Sequence, residues 1–163
     1  RVRTDKVKYD IWHKQGLLSL TTGNVVDYDF IIEEIKKQAK KYNILQIGYD
    51  SWNAMQPALK LEEEGLELIE VRQGPKSMSP AMKKIEQIVK TKMLIHNNHP
   101  VLRWNVGNTE VKADEAENIK PVKSKSTERI DGLVAFVNAM ARAMLEQDEA
   151  SRYDEAGSGI RVI

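Results

Sequence analysis

One stretch of this sequence, residues 44–71, reads ILQIGYDSWNAMQPALKLEEEGLELIEV. It opens with the apolar run Ile44–Tyr49, which has the length of a buried strand. Residues 54–64 then have helical character, and Gly65 provides a C-terminal stop. Leu66–Val71 is a second apolar run of strand length. A strand, a helix and a strand in this order predict an α/β fold with a parallel or mixed sheet.

Helical patterns lie on both sides of this unit. Residues 27–42 carry apolar side chains at helical spacing after Asp27, a plausible N-cap. A further helix is predicted to begin at Ser79 and Pro80. Residues 126–145 are apolar on nearly all sides, which predicts a buried helix. The helices therefore flank the predicted sheet.

Three other segments have strand-like patterns. Residues 16–22 form a short apolar segment, and Gly23-Asn24 directly after it is a turn signal. Residues 102–106 alternate between apolar and polar side chains, as a half-buried strand does. Val111 and Ile119 mark the two arms of a predicted hairpin, with an acidic loop between them.

The composition excludes several classes of protein. The 163 residues carry 25 Lys and Arg against 24 Asp and Glu, which excludes a histone-like polycation and an acidic tail protein. The absence of Cys excludes disulfide scaffolds, thiol nucleophiles and Cys-ligated zinc. No segment approaches the ~18 apolar residues of a membrane span, so no membrane partner is expected. No Gly-rich phosphate loop is present, so no ATP site is expected.

The length of 163 residues suits a single domain with a core of its own. Residues 1–8 read like the middle of a longer protein, and we interpret them as the remnant of an upstream segment. Residues 9–147 contain the predicted strands and helices and form the domain. Residues 148–163 are polar with two glycines, which predicts a flexible tail.

Two carboxylates stand out by their position in these patterns. Asp50 directly follows the apolar run that ends at Tyr49, and Asp131 lies in the first turns of the helix predicted over 126–145. A carboxylate in so apolar a helix is costly unless it meets water, a charged partner or a metal ion. Gly132 beside it would let another backbone or a ligand approach. The two acids are therefore a candidate metal site.

Structural roles stay open for both acids. Asp50 could cap the helix that follows it, because Asp is common at strand-to-helix turns. Asp131 could serve the helix dipole, or it could pair with Lys125 or Arg129.

Basic residues form a second candidate group. Lys123, Lys125 and Arg129 lie just before Asp131 among Ser and Thr residues, and they could bind phosphates there. A similar, weaker patch surrounds Lys76. The alternative for both groups is a solvated loop without a ligand.

Taken together, these residues resemble the carboxyl-terminal nuclease domain of the large terminase subunit of tailed phages or prophages. The similarity runs in family order across most of residues 9–145. It is carried by six segments: Tyr9–Leu20 (YDIWHKQGLLSL), Gly23–Tyr28 (GNVVDY), Ile47–Asn53 (IGYDSWN), Arg72–Met82 (RQGPKSMSPAM), Pro100–Asn105 (PVLRWN) and Asn118–Asp131 (NIKPVKSKSTERID).

The resemblance implies a ribonuclease H-like fold, a mixed sheet flanked by helices, in which carboxylates hold two Mg²⁺ or Mn²⁺ ions. The acid that ends the family's fourth strand corresponds to Asp50, and the acid of its final helix corresponds to Asp131. Metal-bound water would then attack a DNA phosphodiester. Lys123, Lys125 and Arg129 correspond to basic positions of the family, and we expect them, together with Lys76, to bind DNA.

In such phages the implied role is to cut concatemeric viral DNA during genome packaging in the bacterial host cytoplasm. The implied partners are double-stranded DNA, the terminase ATPase domain, the small terminase subunit and the portal. The family places a first catalytic Asp on strands upstream of the segment that resembles Tyr9–Leu20. Because this chain has only residues 1–8 there, we expect it to lack those first strands and to be weak or inactive alone.

Two other functions are compatible with the residues. The domain could be a non-catalytic docking module for the portal, the small terminase subunit or DNA. It could also be a generic α/β binding domain, an interpretation that would gain support if Asp50 and Asp131 lay far apart.

Overall fold

The computed structural model describes residues 2–23, 25–52, 54–124 and 129–157, with the side chains of the last helix described as far as Leu145. Over these residues the chain forms seven helices and four strands. Their bounds are α1 (Val2–Asp5), α2 (Tyr9–Lys14), α3 (Tyr28–Lys41), β1 (Ile47–Tyr49), α4 (Met55–Glu63), β2 (Leu68–Glu70), α5 (Pro75–Lys90), α6 (Pro100–Gly107), β3 (Thr109–Ala113), β4 (Ile119–Lys123) and α7 (Asp131–Gly157).

The unit predicted from residues 44–71 is present as β1, α4 and β2. The two strands pair in parallel, with Ile47 opposite Leu68 and Tyr49 opposite Glu70. Each strand is shorter than the apolar run that predicted it. The α/β order of elements is therefore confirmed, and β3 and β4 form a separate antiparallel hairpin rather than joining this sheet.

Helices cover both faces of the β1–β2 sheet, as parallel sheets require. On one face Ile47 and Tyr49 pack against a cluster from α3, α4 and β2 that includes Ile32, Leu61 and Leu68. The α3 helix of this layer begins where the sequence predicted, since the carboxylate of Asp27 accepts a hydrogen bond from the amide of Phe30 at 2.9 Å.

The other face of the sheet packs against α7. A Cβ atom on Gly48 would lie 3.1 Å from the carbonyl oxygen of Asn138 and 3.2 Å from Cγ of Arg142. Only a residue without a side chain lets β1 and α7 approach so closely.

A second apolar cluster holds α7 against α5. Val137 at its centre is 0% exposed. The cluster consists of Met78, Ala81, Met82, Ile85, Leu133 and Val137. Because α7 contacts both α5 and the sheet, it connects the two parts of the core.

Polar side chains fix the position of α7 along the sheet. The Nε and Nη2 atoms of Arg142 donate to Oε1 of Gln46 at 2.9 and 2.7 Å. The side-chain amide of Gln73 donates to Oδ1 of Asn138 at 3.2 Å. Directed bonds of this kind select one register where apolar packing alone would allow sliding.

The predicted hairpin is confirmed as β3 and β4. Its turn is closed by Asp114, whose Oδ1 accepts from the backbone amides of Ala116 and Asn118 at 2.9 Å each. Hydrogen bonds from the Asn118 side chain and backbone hold the pKa of Asp114 below its ordinary value.

Two predicted strands are wrong. Residues 16–22 form turns and bends, and Leu18 and Leu20 face a surface cleft instead of a sheet. Residues 102–106 belong to the helix α6, which begins at Pro100. Three alternating apolar residues fit a short helix as well as a strand, and the proline at the first helical position was the better signal.

Two predicted helix starts are also wrong. The α5 helix begins at Pro75, so Pro80 lies inside it, and burial of Met78 and Met82 against α7 compensates for the amide that proline lacks. The last helix begins at Asp131, after the non-helical residues Arg129 and Ile130. Residues 125–128 of the earlier predicted start lie outside the described residues.

At its other end α7 continues to Gly157, within the segment predicted as a flexible tail. Residues 158–163 of that segment lie outside the described part of the chain. Within the described residues, none of the helices has both the length and the apolar character needed to cross a membrane.

Candidate functional site

Asp50 lies where the sequence predicted, at the carboxyl end of β1, and it is exposed. Its Oδ1 atom accepts a hydrogen bond from the amide of Trp52 at 3.1 Å, which tightens the turn after the strand. It does not cap the next helix, because Ala54 occupies the N-cap of α4. The other carboxylate oxygen of Asp50 has no hydrogen bond among the described residues.

Asp131 is the first residue of α7, and it too is exposed. Because α7 begins at Asp131 and its buried face begins at Leu133, the carboxylate meets water, one of the conditions under which the sequence predicts that an acid is tolerated here. At this position the helix dipole favours a negative charge. The exposed carboxylate is thus accessible to a ligand from solvent.

The strand β1 runs in the opposite direction to α7. Gln46 bonds to Arg142, whereas Gly48, further along the strand, reaches back to Asn138. Gln73, which follows the parallel strand β2, also contacts Asn138. The carboxyl ends of both strands therefore point toward the amino end of α7.

This direction brings the two predicted acids to the same end of the molecule. Asp50 lies two residues beyond Gly48, about 7 Å along the strand. Asp131 lies seven residues before Asn138, about 10 Å along the helix. Measured along the backbone, Asp50 and Asp131 therefore both lie toward the end of the β1–α7 pair where β1 ends and α7 begins.

A cleft of about 560 Å³ opens beside Asp131. Its charged lining consists of Asp131, Arg129 and two acids that the sequence did not single out as site residues, Asp10 and Asp27. Asp27 already serves as the N-cap of α3. One sequence feature could have identified Asp10 as a candidate, since it lies in the Tyr9–Leu20 segment that carries the family resemblance.

A smaller cleft of about 380 Å³ shares Arg129 and Asp131 with the first and is mostly apolar. Tyr9 and Trp104 line it, and their rings pack with that of Trp12 at centroid distances of 5.5 to 6.0 Å, which fixes α2 against α6. Burial, and then the hydrogen bond that Tyr9 donates to Asp5 at 3.2 Å, raises the pKa of Tyr9. The nearby guanidinium of Arg129 opposes that rise.

The basic residues are not all brought together. Arg129 lines both clefts beside Asp131, and Lys123 is exposed at the end of β4. Lys125 lies outside the described residues. Lys76 is close enough to Asp114 to lower the pKa of that acid, which places it at the turn of the hairpin, opposite the Lys123 end.

The donors at this end are of the kind that Mg²⁺ and Mn²⁺ prefer, because both metals favour carboxylate oxygens and water. Asp50 and Asp131 are exposed and can accept such an ion, so the residue types fit the expected cofactor. No three acidic or histidine side chains of the described ranges lie close enough together to hold a metal. Residue type and exposure therefore fit a divalent metal, whereas the described residues do not group into a metal-binding cluster.

Comparisons with known proteins agree on one family. The family model for the terminase large subunit, endonuclease domain, matches residues 1–147. The large terminase subunit of Enterobacteria phage HK97 is 36% identical over 151 residues, covering 91% of this chain and 30% of that protein. The protein YmfN of Escherichia coli K12 is 32% identical, covering 94% of this chain and 34% of that protein.

A solved structure agrees as well. The crystal structure of the HK97 bacteriophage large terminase superposes with a TM-score of 0.79 at 35% identity, covering 87% of this chain and 30% of that one. The likeness confirms the predicted α/β, ribonuclease H-like fold. The chain spans about a third of the length of the curated relatives it matches. It belongs to the family of terminase large-subunit endonuclease domains.

Proposed function

We propose that this chain is a metal-dependent DNA endonuclease domain that cuts concatemeric viral DNA during phage genome packaging. One observation carries the proposal: two exposed carboxylates, Asp50 and Asp131, lie at the same end of the β1–α7 pair, with Arg129 beside Asp131. This combination of acids and a cation suits a phosphodiester and a divalent metal.

Asp50 and Asp131 would hold the Mg²⁺ or Mn²⁺ ions, which supply Lewis acidity to water and to the phosphate in two-metal hydrolysis. Arg129 would bind the non-bridging phosphate oxygens, where negative charge builds up during attack. Attack by water would form a new P–O bond as the P–O bond of the DNA strand breaks, with the attacking water losing a proton to solvent and the leaving oxygen taking one from solvent. Lys123 and Lys125 would bind backbone phosphates further along the duplex.

We also propose that the chain alone cuts slowly or not at all. Two carboxylates hold two metal ions poorly, and no three acidic or histidine side chains of the described residues form a group that could hold a metal. The family uses a further catalytic Asp, and neither Asp50 nor Asp131 corresponds to it. Lys76 lies near Asp114 at the hairpin turn, so it would bind DNA away from Asp131.

For the longer protein we propose the partners of a packaging motor, acting in the bacterial cytoplasm. These are double-stranded DNA, the terminase ATPase domain, the small terminase subunit and the portal. The basis is family membership together with relatives about three times as long as this chain.

A docking module without catalysis is the alternative function. It is favoured by the apolar rim of the larger cleft, where Leu20, Val25 and Val26 are 51%, 83% and 58% exposed. Exposed apolar side chains of this kind often mark contact surfaces.

A plasmid-nicking assay separates the two functions. It compares this chain, a version extended at its amino end, and the Asp131→Ala variant of the extended version, in Mg²⁺ and in Mn²⁺. We expect only the extended parent to cut, with a loss of at least about 100-fold in Asp131→Ala. If the extended protein binds DNA but never cuts with either metal, the docking function replaces the nuclease.

A further inference from the structure

We propose that two buried asparagines of the α6 region, Asn105 and Asn108, are positioning residues that hold Asp131 and Arg129 in the geometry for metal and phosphate binding. The inference rests on the proposed nuclease function. It concerns residues that make no direct contact with the DNA or the metal and that act through the backbone of residues 129–132, here called the amino end of α7.

Asn105 is fixed in one orientation. It is 4% exposed, and its Oδ1 atom accepts a hydrogen bond from the amide of Gly132 at 2.6 Å. Its Nδ2 atom donates to the carbonyl of Val101 in its own helix at 3.1 Å. The amide of Gly132 belongs to the peptide unit that follows Asp131, so this bond sets the plane from which the Asp131 side chain extends.

Asn108 holds the same segment at Arg129, two residues before Asp131. It is 7% exposed, and its Nδ2 atom donates to the carbonyl of Arg129 at 2.9 Å. Its own carbonyl accepts from the amide of Ser124 at 3.1 Å, which joins the end of β4 to the same point. The two asparagines therefore hold the amino end of α7 at two points, Gly132 and Arg129.

Gly132 shows that the contact with Asn105 is close. A Cβ atom at Gly132 would lie 3.1 Å from Oδ1 of Asn105 and 3.4 Å from its Cγ. Glycine is a poorer helix former than alanine, and Gly132 is exposed, so neither helix propensity nor burial accounts for it. The sequence suggested that another group approaches here, and the structure places the Asn105 amide in that position.

Orientation explains why polar groups occupy these buried positions. A buried amide is stable only when its hydrogen bonds are satisfied, and an apolar side chain of similar size would fill the space without that requirement. Asp131 is exposed and gains little fixation from packing. Groups that orient a metal ligand from behind typically change metal affinity or activity by about 10–100-fold when they are removed.

The test measures Mn²⁺ affinity and unfolding temperature on the same variants of this chain, with Mn²⁺ alone as the probe. We expect Asn105→Leu, which keeps the volume but loses the bond, to weaken Mn²⁺ binding about 10–100-fold. Asn43→Leu, at an exposed position, is the matched control and should bind Mn²⁺ as the parent does.

Gly132→Ala keeps the test informative if Asn105→Leu fails to fold. The added methyl group would crowd Oδ1 of Asn105 and weaken its bond to the amide of Gly132, so Mn²⁺ affinity should fall. In the unfolding temperature, the better helix propensity of alanine should offset part of the cost of displacing the Asn105 amide. A purely structural role for the contact would lower the unfolding temperature and leave the Mn²⁺ affinity of the folded protein unchanged.

Asp131→Ala, measured in parallel, distinguishes the two proposals. If Asp131→Ala leaves Mn²⁺ affinity unchanged, the proposed metal site itself is wrong. If Asp131→Ala abolishes binding while Asn105→Leu and Gly132→Ala bind Mn²⁺ like the parent, the positioning role is overturned and the nuclease proposal stands.

Discussion

The two parts of α7 are held in place by different forces. The body of the helix, residues 133–142, buries one face in the core, with Leu133 and Val137 6% and 0% exposed in the cluster with α5. The amino end, residues 129–132, exposes Asp131 and Gly132 and is tied to α6 by two asparagine side chains. Apolar burial stabilises the body, whereas directed hydrogen bonds orient the end.

This difference suggests how one helix serves both stability and chemistry. Burial contributes free energy in proportion to area but leaves orientation loosely defined. A hydrogen bond contributes less free energy but fixes a direction. Changes in the body should therefore act on folding, and changes at the amino end should act on metal binding.

The largest expected effect on stability comes from truncation in the body. Leu133→Ala should lower the free energy of unfolding by about 2–5 kcal/mol, because it removes buried methyl groups and leaves a cavity between α5 and α7. Chemical denaturation measures the change. Leu145→Ala in the same helix is the control, since Leu145 is 50% exposed and should cost below about 1 kcal/mol. Equal costs at the two positions would contradict the division between body and surface.

The next effect concerns the contact between the body and the sheet. Gly48→Ala should cost about 1–3 kcal/mol, because the new methyl group would lie 3.1 Å from the backbone oxygen of Asn138, which cannot easily move. Gly107→Ala is the control, since no atom lies within 4 Å of its Cβ position. Measured by thermal unfolding, Gly107→Ala should be neutral or stabilising. A destabilised Gly107→Ala together with a neutral Gly48→Ala would contradict the close contact between β1 and α7.

The smallest effect lies in the hairpin turn, away from both parts of α7. The Asn118 side chain helps to lower the pKa of Asp114, so Asn118→Ala should raise that pKa toward its ordinary value. Because the native pKa is lower than the unfolded one, this stabilisation is present above the unfolded pKa of about 4 and is lost as the pH falls through the native pKa. An NMR titration of the Asp114 carboxyl measures the shift.

Mn²⁺ affinity serves as the control for that variant. The hairpin turn lies at the opposite end of β4 from Arg129, so Asn118→Ala should leave metal binding at the amino end of α7 unchanged. A fall in Mn²⁺ affinity would mean that the amino end is not held by α6 alone.

Local sequence signals predicted those parts of the fold that local physics determines. Residues 44–71 formed the expected β1, α4 and β2, because two apolar runs and a stop glycine act over short distances. Asp27 capped α3 for the same reason. The hairpin β3–β4 also followed from alternation and an acidic turn.

Tertiary contacts decided the remaining parts. Residues 102–106 became helical because Pro100 starts a helix that packs Trp104 on Tyr9 and Trp12. The positions of Asp50 and Asp131 at one end could be suggested from strand order, but the roles of Asn105 and Asn108 could not. Their partners are 27 and 21 residues away, and nothing in their neighbourhood signals the contact.

The most direct test of the central claim asks whether Asp50 and Asp131 share one metal site. Sub-stoichiometric Mn²⁺ broadens NMR signals near the bound ion, so the ¹H–¹⁵N spectrum of this chain reports weak binding residue by residue. We expect the amide signals of Ser51 and Gly132 to lose intensity together, at a lower Mn²⁺ concentration than those of the acidic hairpin turn. In Asp131→Asn, the Ser51 signal should broaden less as well. Broadening of Ser51 and Gly132 at different Mn²⁺ concentrations, or unchanged broadening of Ser51 in Asp131→Asn, would contradict it.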